Sequence, residues 1–530
     1  MTTPRPAALL HELVARTAER APQAPALGDG RQTLDYAALQ SVVAQCAAGL
    51  LALGLQRGER VGIYLEKRFE AVAACFGAAA AGGVFVPINP LLKREQLAHI
   101  LRDCNVRLLV TSPERLPQLA PELPALPDLA HLVLTQAPAP TLAPDAAPAC
   151  RWTTWAELLQ APARPGHRVI DGDMAAILYT SGSTGQPKGV VLSHRNLVTG
   201  AASVADYLAN TPDDTLLAVL PLSFDAGFSQ LTTAFHSGAR VVLLNHLLPR
   251  DVLAAMARER VTGLTAVPPL YMQLAPLDWP AEAAQHLRYF ANTGGRMPGA
   301  TLAALRQRAP AAQPFLMYGL TESFRSTYLP PAEVDHRPDS IGRAIPNAEV
   351  LVLRPDGTPC DADEPGELVH RGPLVSLGYW NDPEKTAKRF KPLPPGLPGR
   401  GAGLVLPEVA VFSGDTVRRD ADGFLYFVGR SDDMIKTSGY RVSPTEVEEA
   451  LHATGLVAEC AAVGVPHDTL GQAIRAVVVP RAGTEVTAEL LLRACRERLP
   501  GYMVPHQITL REDALPRSPN GKIDRKTLAG

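Results

Sequence analysis

The segment Tyr179-Thr180-Ser181-Gly182-Ser183-Thr184-Gly185-Gln186-Pro187-Lys188-Gly189-Val190 sets serine and threonine hydroxyls, glycines and a lysine between two apolar runs, Ala175 to Leu178 and Val190 to Leu192. The flanking runs read as short buried strands, which confines the polar residues to a tight connection at strand ends. There Gly182, Gly185 and Gly189 let the backbone approach an anion, while Thr180, Ser181, Ser183 and Thr184 offer hydroxyl donors and Lys188 a point charge. A Walker loop spaces its glycines more widely and puts Lys-Ser or Lys-Thr directly after the second; here only Ser183 and Thr184 separate Gly182 from Gly185, and Gln186-Pro187 precede the lysine. The segment is therefore not a Walker loop. By itself it indicates a cradle for nucleotide phosphate, with a flexible surface connection as the competing reading.

The rest of the chain says what such a cradle belongs to. A length of 530 residues, at roughly 150 residues per domain, gives about three or four structural units. With 46% hydrophobic and 20% charged residues and a net charge of -2, the composition is that of a soluble globular protein with no electrostatic call for nucleic acid. The seven cysteines are scattered and form no CxxC pair, which fits reduced thiols in a cytoplasmic protein rather than a zinc site or disulfide framework. Arg5, His11 and Glu12 lie too close together for a signal peptide. Ala71 to Leu92 carries no charge and is long enough to raise a membrane span. Gly82-Gly83, Pro87 and Pro90 break it into an alanine-rich helix and a strand, Val84 to Val86, so no span is expected.

Helical runs such as Tyr36 to Leu51 alternate with apolar strands such as Arg60 to Tyr64 and Arg107 to Val110, a pattern that argues for an α/β lobe. Gln136 to Ala149, rich in Ala and Pro, reads as a linker or surface excursion. Alternation resumes with strand candidates at Leu216 to Leu220, Arg240 to Leu244, Gly263 to Val267 and Leu287 to Ala291, and a helix at Asp251 to Arg260. A strand-rich section runs from Ala348 to Tyr379, and Lys391 to Gly403 reads as an exposed Pro/Gly-rich insertion. After Arg430 the character changes to a compact α+β unit. Ser443-Pro444-Thr445-Glu446 predicts a capping box ahead of a helix whose apolar face is Val447, Ala450 and Leu451.

Four further stretches have the composition of a site. Met317-Tyr318-Gly319-Leu320-Thr321-Glu322 offers an aromatic face, a hydroxyl and a carboxylate able to hold Mg²⁺ against a phosphate. Phe412-Ser413-Gly414-Asp415 presents an acid after a strand, suited to accept both hydroxyls of a ribose. Gly429 to Arg441 mixes charges of both signs where a hinge would lie, and Pro519 to Arg525 is a turn carrying Lys522. Singly, each of these reads as an ordinary turn or helix start.

Taken together, in this order and spacing, they resemble the adenylate-forming superfamily of acyl-CoA synthetases, nonribosomal peptide synthetase adenylation domains and luciferases, over a stretch from about Leu9 to the C-terminus. The resemblance implies a large N-terminal α/β lobe over residues 1–430, with mostly parallel sheets and a distorted β-barrel subdomain, and a small mobile α+β C-terminal domain over 431–530. It implies ATP and Mg²⁺, a carboxylic acid activated as its adenylate, and transfer to a thiol. By motif position, Thr180 to Lys188 hold the β- and γ-phosphates, and Thr321 and Glu322 serve the α-phosphate and the metal. Asp415 takes the ribose hydroxyls, Arg430 and Arg441 support the nucleotide, and Tyr318 and Gly319 with Gly294-Gly295 line the adenine pocket. Asp432 is the hinge, Ser438-Gly439 frame the thiol tunnel, and Lys522 bridges the substrate carboxylate and the α-phosphate. Ser413 departs from the family's usual threonine.

The acid pocket is expected at Asp225, Ser229, Ala266, Thr293, Met317 and Arg325, small on several sides, which suits a short or polar acid. Phe224-Asp225 resembles amino-acid-activating domains, whose aspartate pairs with the substrate amine. A carboxylate in an apolar pocket needs a cation, and Arg325 is the internal alternative. Phe324 to Pro331 with Asp339 to Gly342 resembles more narrowly the ligases described as exosortase A system-associated acyl-CoA ligases. No carrier-protein sequence follows Lys522, so the thiol is expected from CoA or from phosphopantetheine on a separate carrier. A stand-alone amino-acid adenylating enzyme and a non-catalytic nucleotide-binding scaffold are the rival readings.

Overall fold

The charge-free run folds as the helix Phe69–Ala81 followed by the strand Val84–Pro87. Gly82, at φ 85°, supplies the left-handed residue that ends the helix. Every side of this helix is covered, since each residue from Ala71 to Ala79 is buried, and a helix apolar all round belongs inside a core rather than on one face of it. The computed structural model describes residues 6–92, 94–137, 150–180, 187–397, 406–430, 434–437, 440–467, 470–499, 501–518 and 521–529. No helix among them is long and apolar enough to cross a membrane.

Val84–Pro87 lies in a sheet whose strands Arg151–Thr154, His131–Leu134, Val106–Thr111, Arg60–Tyr64 and Val84–Pro87 run parallel in that spatial order. Met174–Thr180 joins them in parallel, and Lys188–Ser193 folds back on it antiparallel, with Thr180 opposite Lys188. Thr180 and Lys188 thus face each other at the open ends of an edge strand pair; residues 181–186 lie outside the described residues.

The second sheet has a parallel centre of Arg240–Leu243, Thr215–Ala218, Gly263–Ala266, Tyr289–Asn292 and Gln313–Tyr318. Four of the expected strands are here, each trimmed at an end. Beyond Gln313–Tyr318 the sheet turns antiparallel through Thr327–Leu329, Ser340–Ala344, Leu425–Arg430, Val409–Arg419, Gly366–Arg371 and Glu349–Leu353. These strands occupy the place of the expected barrel subdomain, joined here in an open path, with register shifts at Ser340/Gly342, Glu367/Val369 and Thr416/Val417 that bend them.

The smaller C-terminal domain carries a separate sheet of Tyr440–Val442, Ile435–Thr437, Gly471–Pro480, Val457–His467 and Gln507–Leu510. The helices Pro444–His452 and Ala488–Arg498 pack on it through Val447, Leu451, Leu491 and Cys495.

Two expectations change. The Lys391 to Gly403 stretch is not simply exposed: Phe390–Pro392 pairs with Val409–Val411, and Leu393 and Leu397 are buried against Leu353, Val369 and Ala410. Residues 398–405, like 138–149 of the expected linker, lie outside the described residues. The capping box is half made. The Glu446 carboxylate accepts from the Ser443 backbone N–H, but the Ser443 hydroxyl donates to the Val428 carbonyl instead of capping its own helix. The hydroxyl is turned toward the large lobe, where it finds an acceptor, and its oxygen is thereby taken away from the first-turn N–H groups. Arg296 makes a second tie between the lobes, pairing with Asp339 on one side and Glu449 on the other.

Candidate active site

The parallel strands of the second sheet deliver their C-terminal ends to one place, where open α/β sheets place their ligands. Gln313–Tyr318 ends at Tyr318, and Gly319 follows; a Cβ on Gly319 would stand 3.1 Å from the Arg325 Cα, so only glycine lets the returning chain pass so close. Tyr289–Asn292 ends before Gly294, at φ 77°, and Gly295, whose carbonyl accepts from Asn292 Nδ2 at 2.7 Å.

Asp415 sits inside the strand Val409–Arg419 rather than after it. The strand continues because Gly414 takes φ 69° and the Ser413 hydroxyl, donating to the Leu368 carbonyl at 2.6 Å, accepts from the Asp415 N–H at 3.0 Å. Serine thus performs the anchoring. The Asp415 carboxylate is 3% exposed. The Tyr318 hydroxyl donates to its Oδ2, and Arg430, across the strand pair, holds Nη1 3.6 Å from Oδ1. No hydrogen bond from the described residues reaches Oδ1. Burial pushes this carboxyl above the ordinary carboxylate range, against the pull of Arg430, the Tyr318 hydrogen bond, Arg389 and Lys522.

Glu322 lies in the short 3-10 turn Thr321–Ser323. Its Oε1 accepts from the Tyr379 hydroxyl at 2.5 Å, and its carbonyl accepts from the Ser376 N–H. Lys188, at the base of the hairpin, places Nζ 5.3 Å from the centre of the Tyr379 ring. Burial lowers the Lys188 ammonium from its ordinary range, opposed chiefly by the Glu322 charge. Tyr379 therefore joins phosphate loop and carboxylate, and the Trp380 backbone N–H donates to the Gly189 carbonyl beside it. Sequence reasoning missed both Tyr379 and Arg389, whose Nη1 donates to the Phe412 carbonyl. The only signal was an aromatic pair in a glycine turn, Gly378-Tyr379-Trp380.

Lys522 is exposed on the C-terminal domain, in a turn closed by the Ser518 N–H donating to the Lys522 carbonyl at 2.7 Å. Its charge reaches Asp415 across the domain junction. Arg441 follows in the strand Tyr440–Val442, opposite Lys436. Asp432, Ser438 and Gly439 lie outside the described residues.

Behind Tyr318 a narrow cleft is lined by Ser229, Gln230, Thr233, Met317 and Arg325 among others. Asp225, Ala266 and Thr293 do not line it. Thr293 instead accepts from Arg325 Nη1 at 2.8 Å. Asp225 is the first residue of the helix Asp225–Ser237, half-buried, with Oδ1 accepting from the Ala226 N–H at 2.7 Å. Of the two alternatives for Asp225, the internal pair with Arg325 is not formed; the aspartate sits at the helix N-terminus, where the helix dipole offsets its charge.

The donor set suits Mg²⁺ bound with phosphate. Among the described residues no cluster of three or more His, Cys, Asp or Glu could cage a metal, whereas Glu322 offers one hard oxygen, Oε2, that takes no hydrogen bond there. A single protein carboxylate plus phosphate oxygens and water is a common way for this cation to bind.

The AMP-binding enzyme family matches residues 14–380, and the AMP-binding enzyme C-terminal domain matches 446–522. Feruloyl-CoA synthase of Amycolatopsis sp is 33% identical over 516 residues, 96% of each chain. L-proline--[L-prolyl-carrier protein] ligase of Pseudomonas fluorescens is 31% identical over 531 residues, 98% of this chain and 99% of that one. The chain spans only 6% of the length of one linear gramicidin synthase polypeptide of Brevibacillus parabrevis, at 31% identity, and 10% of another, at 30%. ATP-bound MatB from Rhodopseudomonas palustris superposes with a TM-score of 0.84 at 27% identity, covering 98% of both chains. A family match over most of the chain, with relatives more than 30% identical along nearly their whole length, places this protein in the AMP-binding enzyme family.

Proposed function

We propose that the protein is an ATP-dependent, AMP-forming acid-thiol ligase that activates a small carboxylic acid as its adenylate and passes it to the thiol of CoA or of carrier-bound phosphopantetheine. The observation that carries this reading is the buried Asp415 carboxylate, held by Tyr318 and Arg430, with Oδ1 taking no hydrogen bond from the described residues.

In this reading Asp415 accepts the ribose hydroxyls, and Tyr318, Gly319, Gly294 and Gly295 receive the adenine. Lys188 and the residues Thr180 to Gly185 take the β- and γ-phosphates. Thr321 and Arg430 orient the α-phosphate. A substrate carboxylate oxygen attacks the α-phosphorus, the bond to the bridging oxygen of the β-phosphate breaks, and pyrophosphate leaves. Lys522 steadies the attacking carboxylate and the charge that builds on the α-phosphate, as preorganised cations do in phosphoryl-type transition states. Mg²⁺ held by Glu322 supplies neutralisation of phosphate charge. The thiol, losing its proton, then attacks the acyl carbonyl and AMP departs. The proposed hinge at Asp432 divides residues 1–430 from 431–530, swings Lys522 away and brings Ser438, Gly439 and Arg441 over the site for this second step. A cytoplasmic setting suits the scattered reduced cysteines.

An amino-acid substrate is the second reading. It is favoured by Asp225, whose side chain has no ion-pair partner among the described residues, and by the likeness to the proline-carrier ligase. ATP–pyrophosphate exchange over a panel of short acyl, aryl and amino acids tests both, followed by transfer to CoA or to a pantetheinylated carrier. Exchange with at least one acid is expected. Background rates with every acid would leave a nucleotide-binding scaffold instead.

A further inference from the structure

The cleft behind Tyr318 contains a charge that the protein itself leaves unmatched. Arg325 is 3% exposed. Among the described residues its guanidinium makes one side-chain hydrogen bond, from Nη1 to the neutral Thr293 hydroxyl, and its buried Nε has no partner. Among the described residues no carboxylate lies within ion-pair distance. Lysine or histidine in such a place can shed a proton; arginine cannot, so the charge stays and its desolvation must be offset by an incoming anion.

The backbone commits itself to this placement. Phe324 stands at φ 56° and ψ -54°, and the Arg325 N–H donates to the Ser323 carbonyl at 2.6 Å, a γ-turn of the rare strained kind. The turn sends the fully buried Phe324 ring against Gly200, where a Cβ would meet the ring at 2.3 Å. Arg325 then emerges on the cleft side. Facing it in the same cleft is Thr233, whose Oγ1 is buried and without a partner. Two unmet donor groups thus converge on one small space.

Resting on the ligase reading above, we propose that the activated acid is a short dicarboxylic acid, and that Arg325 with Thr233 receives the carboxylate that does not react. The planar guanidinium fork matches a carboxylate in two-point contact. The small and polar side chains along the cleft, Ser229, Gln230 and Thr233, suit a short acid. The reacting carboxylate is turned the other way, toward Thr321 and Lys522.

The test compares succinate, glutarate and adipate with butyrate, valerate and hexanoate, by ATP–pyrophosphate exchange and by calorimetric binding in the presence of a nonhydrolysable ATP analogue. Wild-type protein should prefer the dicarboxylates. Arg325→Leu should lower the ratio of dicarboxylate to monocarboxylate kcat/KM by roughly 100-fold. Arg325→Lys, which keeps charge but not the fork, and Thr233→Val should each lower it by roughly tenfold, and they serve if the leucine variant does not fold. Monocarboxylates used as well as dicarboxylates by the wild type would overturn the assignment while leaving the ligase reading intact. So would an Arg325→Leu variant that loses both classes equally, the signature of a structural arginine or of one gripping the reacting carboxylate. Exchange with no acid, and no acid bound, would overturn both readings together.

Discussion

Two charges are buried back to back on either side of Tyr318, and the protein treats them differently. Asp415 is met by Tyr318, Arg430, Arg389 and Lys522, and keeps one oxygen open. Arg325 is met by a single neutral hydroxyl. In the proposed reading the nucleotide side is nearly complete before its ligand arrives, as a site serving one unvarying molecule can be, and the acid side is left for the substrate to complete. Preorganisation on one side and dependence on the ligand on the other separate catalysis from selection.

The sharpest way to test that separation is Lys522→Ala. It should cost adenylation on the order of 3 kcal/mol or more for both acid classes alike, and leave thiol transfer from premade adenylate intact. A changed acid preference, or equal loss of both steps, would break the separation. Next is Asp415→Asn, which should weaken ATP binding by roughly 2 kcal/mol, read by titration, without altering acid choice. The sign of its effect on the ligand-free fold is opposite. Because burial raises the Asp415 carboxyl in the folded state, the ionised group opposes folding at neutral pH, and this opposition fades as pH falls through the raised value. Asp415→Asn should therefore melt no lower than wild type at neutral pH, and its advantage should shrink as the solution is acidified. The smallest effect is expected from Thr293→Val, which strips Arg325 of its hydrogen bond and should cost about 1 kcal/mol of stability, recovered when a saturating dicarboxylate is present during the melt. Loss of stability that the ligand does not restore would make Thr293 and Arg325 a purely structural pair.

The nucleotide half was readable in the sequence because its parts are local: Tyr318 to Glu322, the glycine before Asp415, and the hydroxyl-rich hairpin each declare themselves within a few residues. The acid half was only partly readable. Arg325 lines the cleft, but its hydrogen bond to Thr293 and the place of Asp225 at a helix start depend on how the chain returns after the γ-turn at Phe324. Tyr379 escaped notice because its role exists only where the turn after Gly372 meets Glu322 across the fold. Composition misled at Lys391 to Gly403, where prolines and glycines hid Leu393 and Leu397, whose burial needs the strand at Val409 to be present. The capping box failed for a related reason: the pattern is local, but the better acceptor for Ser443, the Val428 carbonyl, sits on another domain.

Arg296 spans the two lobes, with Asp339 on one and Glu449 on the other, and its side chain and that of Glu449 are about half exposed. Water and dissolved ions reach both, so the strength of this tether is set from outside the protein. At ionic strengths where the Debye length shrinks to a few ångströms the attraction fades, and the arrangement that presents Lys522 to Asp415 loses one of its holds. The bathing salt then acts as a tuning knob on how long the lobes dwell in this orientation, and the ratio of the two half-reactions should drift with ionic strength even where each alone does not.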